Sequence, residues 1–573
     1  MTVARVLPNV TGLDKQFDYL VPPALAGEVE VGSVVRVDLH GRRIGGWVVA
    51  LDPSGALAPD DLKEIAKVTG RGPSADLVDL SEWASVRWAA RLRHFLATAS
   101  PDTAVRLLPT SRRTGTIVEP RSPASTAILE AGGGVLRLPP ASDPMPAVLS
   151  ATAIGPALVV VPSVEQAMLL GARLRRSGLG VAVMPKEWPD AAGGVDVVIG
   201  ARAAAWAPCP GLRCVVVVDE HEAALQEEGS PTWHARDVVI ERARRAGASV
   251  LIVSPAPTLT AIEWGPLTKP PIDRERAGWP IVDVIDRSDE EPWKRSLVTS
   301  ELIRHLRDPE RIVVCVSNTT GRARLLACRQ CRELTRCERC GAAVVLDDAG
   351  HLACLRCETV RPPVCLVCGA GRFANLRPGV TRLREELEAA ANRPAVLVTG
   401  ADAERPASAG VYVGTEAALH RVDRADTVAF LDFDREILAP RYRAAEQAMA
   451  LLVRAARLVG PRSRGGRILI QTFQARHEVV QAALHADPGR LVASERERRR
   501  MLGLPPFGAY AEISGAGSDE FVESIPPNDA VVIVGGDGEY VARSDDWMVL
   551  GRTISAGTRP SGARLRIAVD PSR

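Results

Sequence analysis

LRCVVVVDE, residues Leu212–Glu220, decides the fold: Cys214–Val218 is an unbroken apolar run that stops abruptly at two carboxylates. A strand with apolar side chains on both sides is buried on both faces, as a central strand of a parallel sheet is. The same texture recurs upstream in ALVVVPS (157–163) and VDVVIGAR (195–202), and downstream in ASVLIVSP (248–255). It resumes in RIVVCVSN (311–318), PAVLVTG (394–400), SAGVYVGTE (408–416), DTVAFLDFD (426–434) and GRILIQTF (466–473). Helical stretches separate these runs, so the pattern predicts two doubly wound α/β lobes.

A chain of 573 residues exceeds one core and should divide into several domains. Hydrophobic residues at 46% and charged residues at 24% are ordinary for a globular protein. The formal net charge of +2 carries no global basic signature, so a nucleic-acid surface must be local. The first residues show no signal-peptide pattern, and no window offers the ~20 apolar residues of a membrane span. The expectation is a cytoplasmic protein with no membrane partner. Residues 1–70 read as a small β-rich unit, with GSVVRVDL (32–39) and GGWVVALD (45–52) as strands joined by the turn HGRR (40–43). Residues 76–100 carry helical spacing, and the Pro- and Ser-rich stretch 108–146 reads as a linker.

Eight of the 11 cysteines fall between Cys328 and Cys368, all in C-x-x-C pairs. Cys337 and Cys340 with Cys354 and Cys357 have zinc-ribbon spacing, two thiolate pairs around the hairpin-length AAVVLDDAGHL with Asp-Ala-Gly at its turn. Closing this inner site brings the outer pairs, Cys328/Cys331 and Cys365/Cys368, together at the hairpin base. The reading is two nested zinc ions per chain, each with four thiolates and no position for water, hence structural. Disulfide or redox chemistry is the alternative, and it suits an intracellular chain less well. His351 inside the hairpin reads as a surface residue. Cys209, Cys214 and Cys315 stand apart and read as small core residues.

With its flanks, the cluster resembles that of the replication-restart primosomal protein N′ (PriA) family of superfamily 2 DNA helicases. FDYLVP (Phe17–Pro22), TWHARD (Thr232–Asp237), PRYRAAEQAMALL (Pro440–Leu452), LGLPPF (Leu502–Phe507) and RIAVDP (Arg566–Pro571) are similar to that family's landmarks, in order along the chain. The resemblance implies two RecA-like lobes with an inserted double zinc-ribbon module, a small N-terminal β-rich DNA-binding domain and a small α+β C-terminal domain. The expected spans are 1–70 for 3′-DNA-end binding and 71–132 for a helical segment and linker, the family's winged helix being largely missing. The first lobe spans 133–300, the second 301–475 with the zinc insertion at 326–371, and the C-terminal domain 476–573.

The departures bear on activity. A helicase needs G-x-x-x-x-G-K-[ST] to cradle phosphates and magnesium, and no such motif occurs in this chain. In its place stands VLRLPPASDPMPAVL (135–149), where Pro139, Pro140, Pro144 and Pro146 lack amide donors and Asp143 adds negative charge. The family's D-E-E-H reads Asp219-Glu220-His221-Glu222, a vestigial nucleotide site in Asp219 and Glu220. Its S-A-T-P reads SPAP (254–257), and its G-T-Q motif reads GTEAALHRVD (414–423). Its arginine-finger motif has become VRAARLVGPRSRGG (453–466), which leaves Arg457 and Arg462 without an assigned finger position.

ATP and magnesium are therefore not expected to be turned over, and the chain is read as helicase-like without being an enzyme. By resemblance, Phe17, Asp18, Gly41 and Lys63 form a pocket for a DNA 3′ end: Phe17 stacks on the base, Asp18 accepts from the 3′-hydroxyl and Lys63 pairs with phosphate. Arg441 with Arg443, or the run Arg496–Arg500, are the further arginine-rich faces. The function so implied is recognition of stalled or branched forks and assembly of the primosome that reloads the replicative helicase. The implied partners are DNA, primosome and helicase-loading proteins and the single-stranded DNA-binding protein, in the nucleoid. The alternatives are an active 3′→5′ helicase and a regulatory scaffold that does not bind DNA.

Overall fold

The computed structural model describes residues 2–55, 62–288, 297–317, 326–331, 333–347, 349–354, 356–375, 380–398, 400 and 406–571. In the N-terminal unit, β1 (Val3–Pro8), β2 (Phe17–Leu20), β3 (Val34–Leu39), β4 (Arg42–Leu51) and β5 (Lys67–Gly70) form an antiparallel sheet ordered β2-β1-β4-β3-β5. The segment before β5 links its two sides. Leu20 N–H donates to the Lys63 carbonyl at 2.9 Å, Ile65 N–H to the Leu20 carbonyl at 3.0 Å, and Ala66 N–H to the Arg36 carbonyl at 2.9 Å. Alternate residues of β3, Val35 and Val37, point inward against Val6 and Val48. The β3–β4 turn is His40–Gly41, both with positive φ (50° and 77°), as a two-residue hairpin requires. Arg42 and Arg43 already belong to β4.

The helical stretch after this unit is two helices, Ala75–Arg87 and Leu92–Ala99, broken at Ala89 where φ is 45°. They dock on the first lobe through a chain of rings: Trp83–Trp88, Trp88–Phe95, Phe95–Trp206 and Trp206–Trp233, with centroids 5.2–6.2 Å apart.

The first lobe holds β6 (Gly133–Arg137), β7 (Ala157–Val160), β8 (Val181–Val183), β9 (Val197–Gly200), β10 (Cys214–Val218), β11 (Ser249–Ser254) and β12 (Leu267–Thr268). Its seven strands are all parallel, in the order β12-β6-β11-β10-β7-β9-β8. The opening run is β10, wholly buried between β11 and β7. The stretch expected to be a linker carries β6 and two helices, Pro123–Glu130 and Met145–Thr152, whose Ile128, Leu129, Val148 and Leu149 enter this lobe's core. The linker reading is corrected there. Pro123, Pro144 and Pro146 stand at the starts of those helices, where the missing N–H has no intrahelical partner anyway. Between Ala99 and Gly133, Pro123–Glu130 is the single helix among the described residues.

The second sheet begins with β13 (Ile281–Asp286) and β14 (Val313–Val316). The cysteine module intervenes as β15 (Leu326–Cys328), β16 (Val344–Leu346), β17 (Leu352–Cys354), β18 (Val360–Arg361) and β19 (Phe373–Asn375). The sheet resumes with β20 (Ala395–Val398), β21 (Val411–Gly414), β22 (Thr427–Phe430) and β23 (Arg467–Thr472). Its order is β13-β23-β22-β14-β21-β20, all parallel. So β13, which falls within residues 133–300, pairs with β23 of the second sheet. The buried face of helix Ala444–Val459 packs on this sheet, joined by Val479, Val480 and Leu491 from the helices that follow β23.

The C-terminal unit is an antiparallel sheet of β24 (Ala509–Ser514), β25 (Val532–Gly536), β26 (Glu539–Ser544) and β27 (Arg566–Val569), ordered β25-β26-β24-β27. Its helix Trp547–Ser555 lies against Ala75–Arg87. Gly551 permits the approach, since a Cβ there would sit 1.9 Å from the Val86 carbonyl oxygen. Among the described residues, no helix is long and apolar enough to cross a membrane.

Candidate nucleotide, metal and DNA-end sites

At the C-terminal edge of a parallel sheet, loops converge where an α/β protein binds its ligand. Asp219 follows β10 there, 2% exposed and with φ at 59°. Arg457, on helix Ala444–Val459 of the other lobe, grips both of its carboxylate oxygens. Nη1 donates to Oδ2 at 2.6 Å, Nη2 bonds Oδ1, and Nε donates to the Pro140 carbonyl at 3.2 Å. Gln166 adds a bond to Oδ2 at 3.2 Å. Burial pushes the Asp219 carboxyl up, but the charge and hydrogen bonds of Arg457 outweigh it and hold the group below the usual carboxylate range. The arginine left unassigned in the sequence thus joins the residual acid to the proline-rich loop.

Neighbouring acids are engaged too. Glu220 accepts from Thr258 N–H at 3.1 Å, Thr258 Oγ1 at 2.6 Å and Arg236 Nη1 at 2.5 Å. Glu222 pairs with Arg454, another side chain of the second lobe. Ser254 of SPAP meets His221 Nδ1 at 2.9 Å. Asp143 pairs with Arg173, and Arg462 lies exposed in a short 3-10 turn.

The sequence landmarks far apart in the chain converge behind this site. Arg236 of TWHARD bonds Asp237 at 2.8 Å as well as Glu220. Thr232 Oγ1 donates to the Val569 carbonyl at 2.6 Å. Arg443 reaches Asp570 at 2.7 Å and Gln226 at 2.9 Å. Glu446 accepts from Leu259 N–H at 2.7 Å and pairs with buried Arg499 at 2.6 Å; Arg499 also bonds Glu495 at 2.9 Å. Arg498 pairs with Glu478 at 3.1 Å and Arg496 with Glu263. The run Arg496–Arg500 is therefore largely an internal tie between lobes, which corrects its reading as a free basic face.

The cysteines assemble as nested tetrads. Cys328, Cys331, Cys365 and Cys368 form one, and Cys337, Cys340, Cys354 and Cys357 the other, with the sulfurs of each within 4.8 Å of one another. Cross-pairs stand at 3.4–3.5 Å, close to the ~3.8 Å edge of a tetrahedron with ~2.3 Å metal–sulfur bonds. Hairpin β16–β17 carries Cys354 at its end, and β15 carries Cys328 beside β19. The Cys354 thiol is pulled down by its hydrogen bond to Cys340 and by backbone N–H groups of Cys357 and Arg356. Four soft donors at this separation, with no carboxylate or water place among them, fit a tetrahedral ion in each tetrad. Gly350 takes a positive φ of 80° at the hairpin turn; of the Asp-Ala-Gly reading, Asp348 lies outside the described residues. His351 is exposed and bonds Asp347 through its backbone N–H at 2.7 Å. Cys209, Cys214 and Cys315 are buried, and burial pushes the Cys214 and Cys315 thiols up to about 12.

At the N-terminal unit, closure by residues 63–66 brings β2 next to β3. Tyr19 Oη donates to the Asp38 carbonyl at 3.0 Å, and Asp38 Oδ1 accepts from Lys63 Nζ at 2.6 Å and Gly41 N–H at 3.3 Å. The Lys63 hydrogen bond and charge hold the Asp38 carboxyl below its usual range. Lys63 and Gly41 thus meet through Asp38, a residue the sequence reading did not single out. Asp18 holds Arg5 in a two-bonded fork at 2.8 and 3.0 Å, another partner unforeseen. The two had a signal only in register, since Arg5 and Asp18 face each other across β1–β2. Phe17 is half-buried, with Lys15 5.5 Å above its ring.

A family model described as the 3′ DNA-binding domain (3′BD) of PriA matches residues 5–101. The chain is 28% identical over 577 residues to the probable replication restart protein PriA of Mycobacterium tuberculosis (strain ATCC 25618 / H37Rv), covering 88% of this chain and 85% of that one. With the replication restart protein PriA of Bacillus subtilis (strain 168) it shares 26% identity over 391 residues, 61% of this chain and 48% of that one. Among solved structures, S. cerevisiae Dbp5 bound to RNA and ADP BeF3 covers 67% of this chain at 10% identity and TM-score 0.34, too distant to bear on function. Over most of its length, then, the chain is similar to the replication restart proteins PriA, and its N-terminal unit to their 3′ DNA-binding domain.

Proposed function

We propose that the protein recognises stalled or branched replication forks and helps assemble the primosome that reloads the replicative helicase, without hydrolysing ATP. The relatives' printed name and the matched 3′ DNA-binding domain support the first part. One observation carries the second: Arg457 forks Asp219 and bonds the Pro140 carbonyl, filling with a fixed cation the place where an acid would hold magnesium. Glu220 already accepts three hydrogen bonds, from Thr258 N–H, Thr258 Oγ1 and Arg236 Nη1, which fix its carboxylate within the fold. The loop before helix Met145–Thr152 offers neither a Gly-Lys pair nor consecutive free amides. These residues do not fit a nucleotide–magnesium group.

Binding falls to the N-terminal unit. Phe17 offers a ring for a terminal base, Asp18 an acceptor for the 3′-hydroxyl when Arg5 yields one bond, and Lys63 a cation for phosphate held near Gly41 by Asp38. Each cysteine tetrad holds one zinc ion whose four thiolates leave no open position; the ion supplies rigidity to a module that presents a surface to primosome, helicase-loading and single-stranded DNA-binding proteins. The site of action is the nucleoid. The decisive assay measures ATP hydrolysis with and without forked DNA, alongside fork binding by anisotropy. Fork binding with no DNA-stimulated hydrolysis is expected; turnover abolished by Asp219→Ala would establish a working motor instead.

A further inference from the structure

The C-terminal sheet has two edges, and the fold covers one of them. At β27 the Ile567 and Val569 carbonyls accept from Ser230 and Thr232 of the first lobe. At the other edge lies β25 (Val532–Gly536), paired with β26 and with no further strand beside it among the described residues. The turn Asp537–Gly538 has two residues, with φ of 52° and 82°, so Gly536 and Glu539 close the hairpin. Hydrogen-bonded pairs then alternate back along it, to Val534–Val541 and Val532–Arg543. The Gly538 carbonyl accepts from Gly515 N–H of the segment after β24 at 3.2 Å, as that alternation requires. The N–H and C=O groups of Ile533 and Gly535 therefore point away from β26, along the uncovered edge. Beside them Val532 and Val534 are 59% and 47% exposed. Both ends of the strand are fixed: Val531 N–H donates to the Asn528 carbonyl at 2.9 Å, and Gly538 N–H to Asp519 at 3.1 Å.

We propose that β25 accepts an added strand from a partner protein, an extended segment with apolar residues at its middle and Lys or Arg at both ends. Native sheets blunt their edges with Lys, Pro or inward-pointing charges, and the stretch VIVGG has none of these. An apolar edge fixed at both ends is what strand addition uses, main-chain bonds giving affinity and neighbouring side chains specificity. The surrounding charge selects the class of partner. From Pro526 to Ala542 the charged residues are Asp529, Asp537 and Glu539, all exposed. Tyr540 Oη donates to Asp519 at 2.7 Å; that bond and the charges of Asp519, Glu523 and Asp537 hold the hydroxyl above its usual range. Acids thus converge at the turn end of the strand. Arg543, opposite Val532, holds its guanidinium 5.8 Å from the Tyr510 ring of β24, on the side away from the edge. A second copy fits less well, because antiparallel pairing of two β25 strands sets Asp529 of one across from Asp537 or Glu539 of the other. Nucleic acid meets the same carboxylates. The inference does not rest on fork binding, and either can fail without the other.

The test titrates the full chain into the fluorescein-labelled peptide KRVTVTVRK and follows anisotropy at low and high salt. Saturable binding is expected, weakened about tenfold by Val534→Lys, which places a charge on the edge. Asp529→Asn/Asp537→Asn is expected to weaken it about threefold and to lessen its response to salt. The acidic peptide EEVTVTVEE and the proline-broken KRVTPTVRK are each expected to bind about tenfold more weakly. Amide hydrogen exchange over residues 531–536 is expected to slow when KRVTVTVRK is bound, because the outward N–H groups gain partners. Fork binding measured in parallel is expected to be the same for Val534→Lys and wild type, so the two sites are read separately. If Val534→Lys does not fold, the exchange measurement and the double variant, whose two side chains are exposed, decide the matter. Equal binding by wild type and variants, equal binding of the acidic peptide, or unchanged exchange over 531–536 overturns the site. Dimerisation that Val534→Lys abolishes, seen by sedimentation without any peptide binding, overturns it in favour of a second copy.

Discussion

Arg457 and Asp219 belong to different lobes, 238 residues apart in sequence, and meet as a two-bonded fork whose third N–H reaches the Pro140 carbonyl. The two parallel-sheet lobes are thus joined by the chain's own side chains. Arg454–Glu222, Arg137–Asp487 and the Glu446 bond to Leu259 N–H add to the same closure.

Breaking that fork should loosen the closure. Arg457→Ala and Asp219→Ala are each expected to destabilise by ~1–3 kcal/mol, between the values for exposed and fully buried pairs because a third of the Arg457 side chain is exposed. A double-mutant cycle by urea unfolding is expected to show coupling above ~0.5 kcal/mol, and additive losses would refute the clamp.

Acid should act through the same residues. The carboxyls of Asp219 and Asp570 lie below their usual range when folded, because burial is outweighed by Arg457 and Arg443 respectively. Such groups bind fewer protons folded than unfolded, so their stabilisation is present above the ordinary carboxylate range and drains as pH falls through and below it. Arg457→Gln is expected to flatten the acid limb of a stability–pH profile measured by thermal melting.

Asp434 carries the opposite sign. Burial, reinforced by Asp432, pushes its carboxyl up to about 7 despite bonds from Phe473 N–H and Thr472 Oγ1, both at 2.9 Å. The folded chain holds this proton longer than the unfolded chain, so stability should decline between the ordinary carboxylate range and about pH 7. Asp434→Asn is expected to remove that decline, a gain on the order of 1–4 kcal/mol at pH 8. A wild-type profile already flat over that interval would contradict the assignment.

Metal analysis by mass spectrometry is expected to find two zinc ions per chain. Cys331 of the outer tetrad is exposed, whereas Cys337, Cys340 and Cys354 of the inner one are buried. A chelator should therefore remove the outer ion first, in two resolved steps. Cys340→Ser should collapse both sites and Cys331→Ser only one. A single ion, or simultaneous loss of two, would rule out the nested arrangement.

The DNA-end pocket is tested by Phe17→Ala and Lys63→Ala. Loss of stacking is expected to cost about 1–3 kcal/mol in binding of a 3′-hydroxyl end measured by anisotropy. Lys63→Ala should also lower the salt slope by ~0.7. Arg5→Ala, which frees Asp18, should sharpen discrimination between hydroxyl and phosphate ends.

Much of this was readable from local chemistry. Continuous apolar runs such as Cys214–Val218 announce central parallel strands because burial on both faces leaves no room for alternation. C-x-x-C spacing identifies the tetrads because a small tetrahedron constrains its ligands locally. What escaped depends on residues brought together by tertiary structure. Arg457 has meaning only against Asp219, Asp38 only against Lys63, and Pro123, Pro144 and Pro146 only once helices begin beside them. The run Arg496–Arg500 looked exposed because its partners, Glu446, Glu478 and Glu263, lie elsewhere in sequence.

The bonds joining Ser230 and Thr232 to the carbonyls of Ile567 and Val569 span 337 positions. During synthesis, the loop after β10 must therefore wait, its hydroxyls paired with water, until residues 566–570 have left the ribosome. The order of translation thus makes the first lobe begin early and finish late. Contacts this distant slow the final docking and lengthen the time that β10 and its neighbours depend on partial packing. A clipped or stalled chain lacking β27 would keep the motifs of the first lobe yet leave them unanchored.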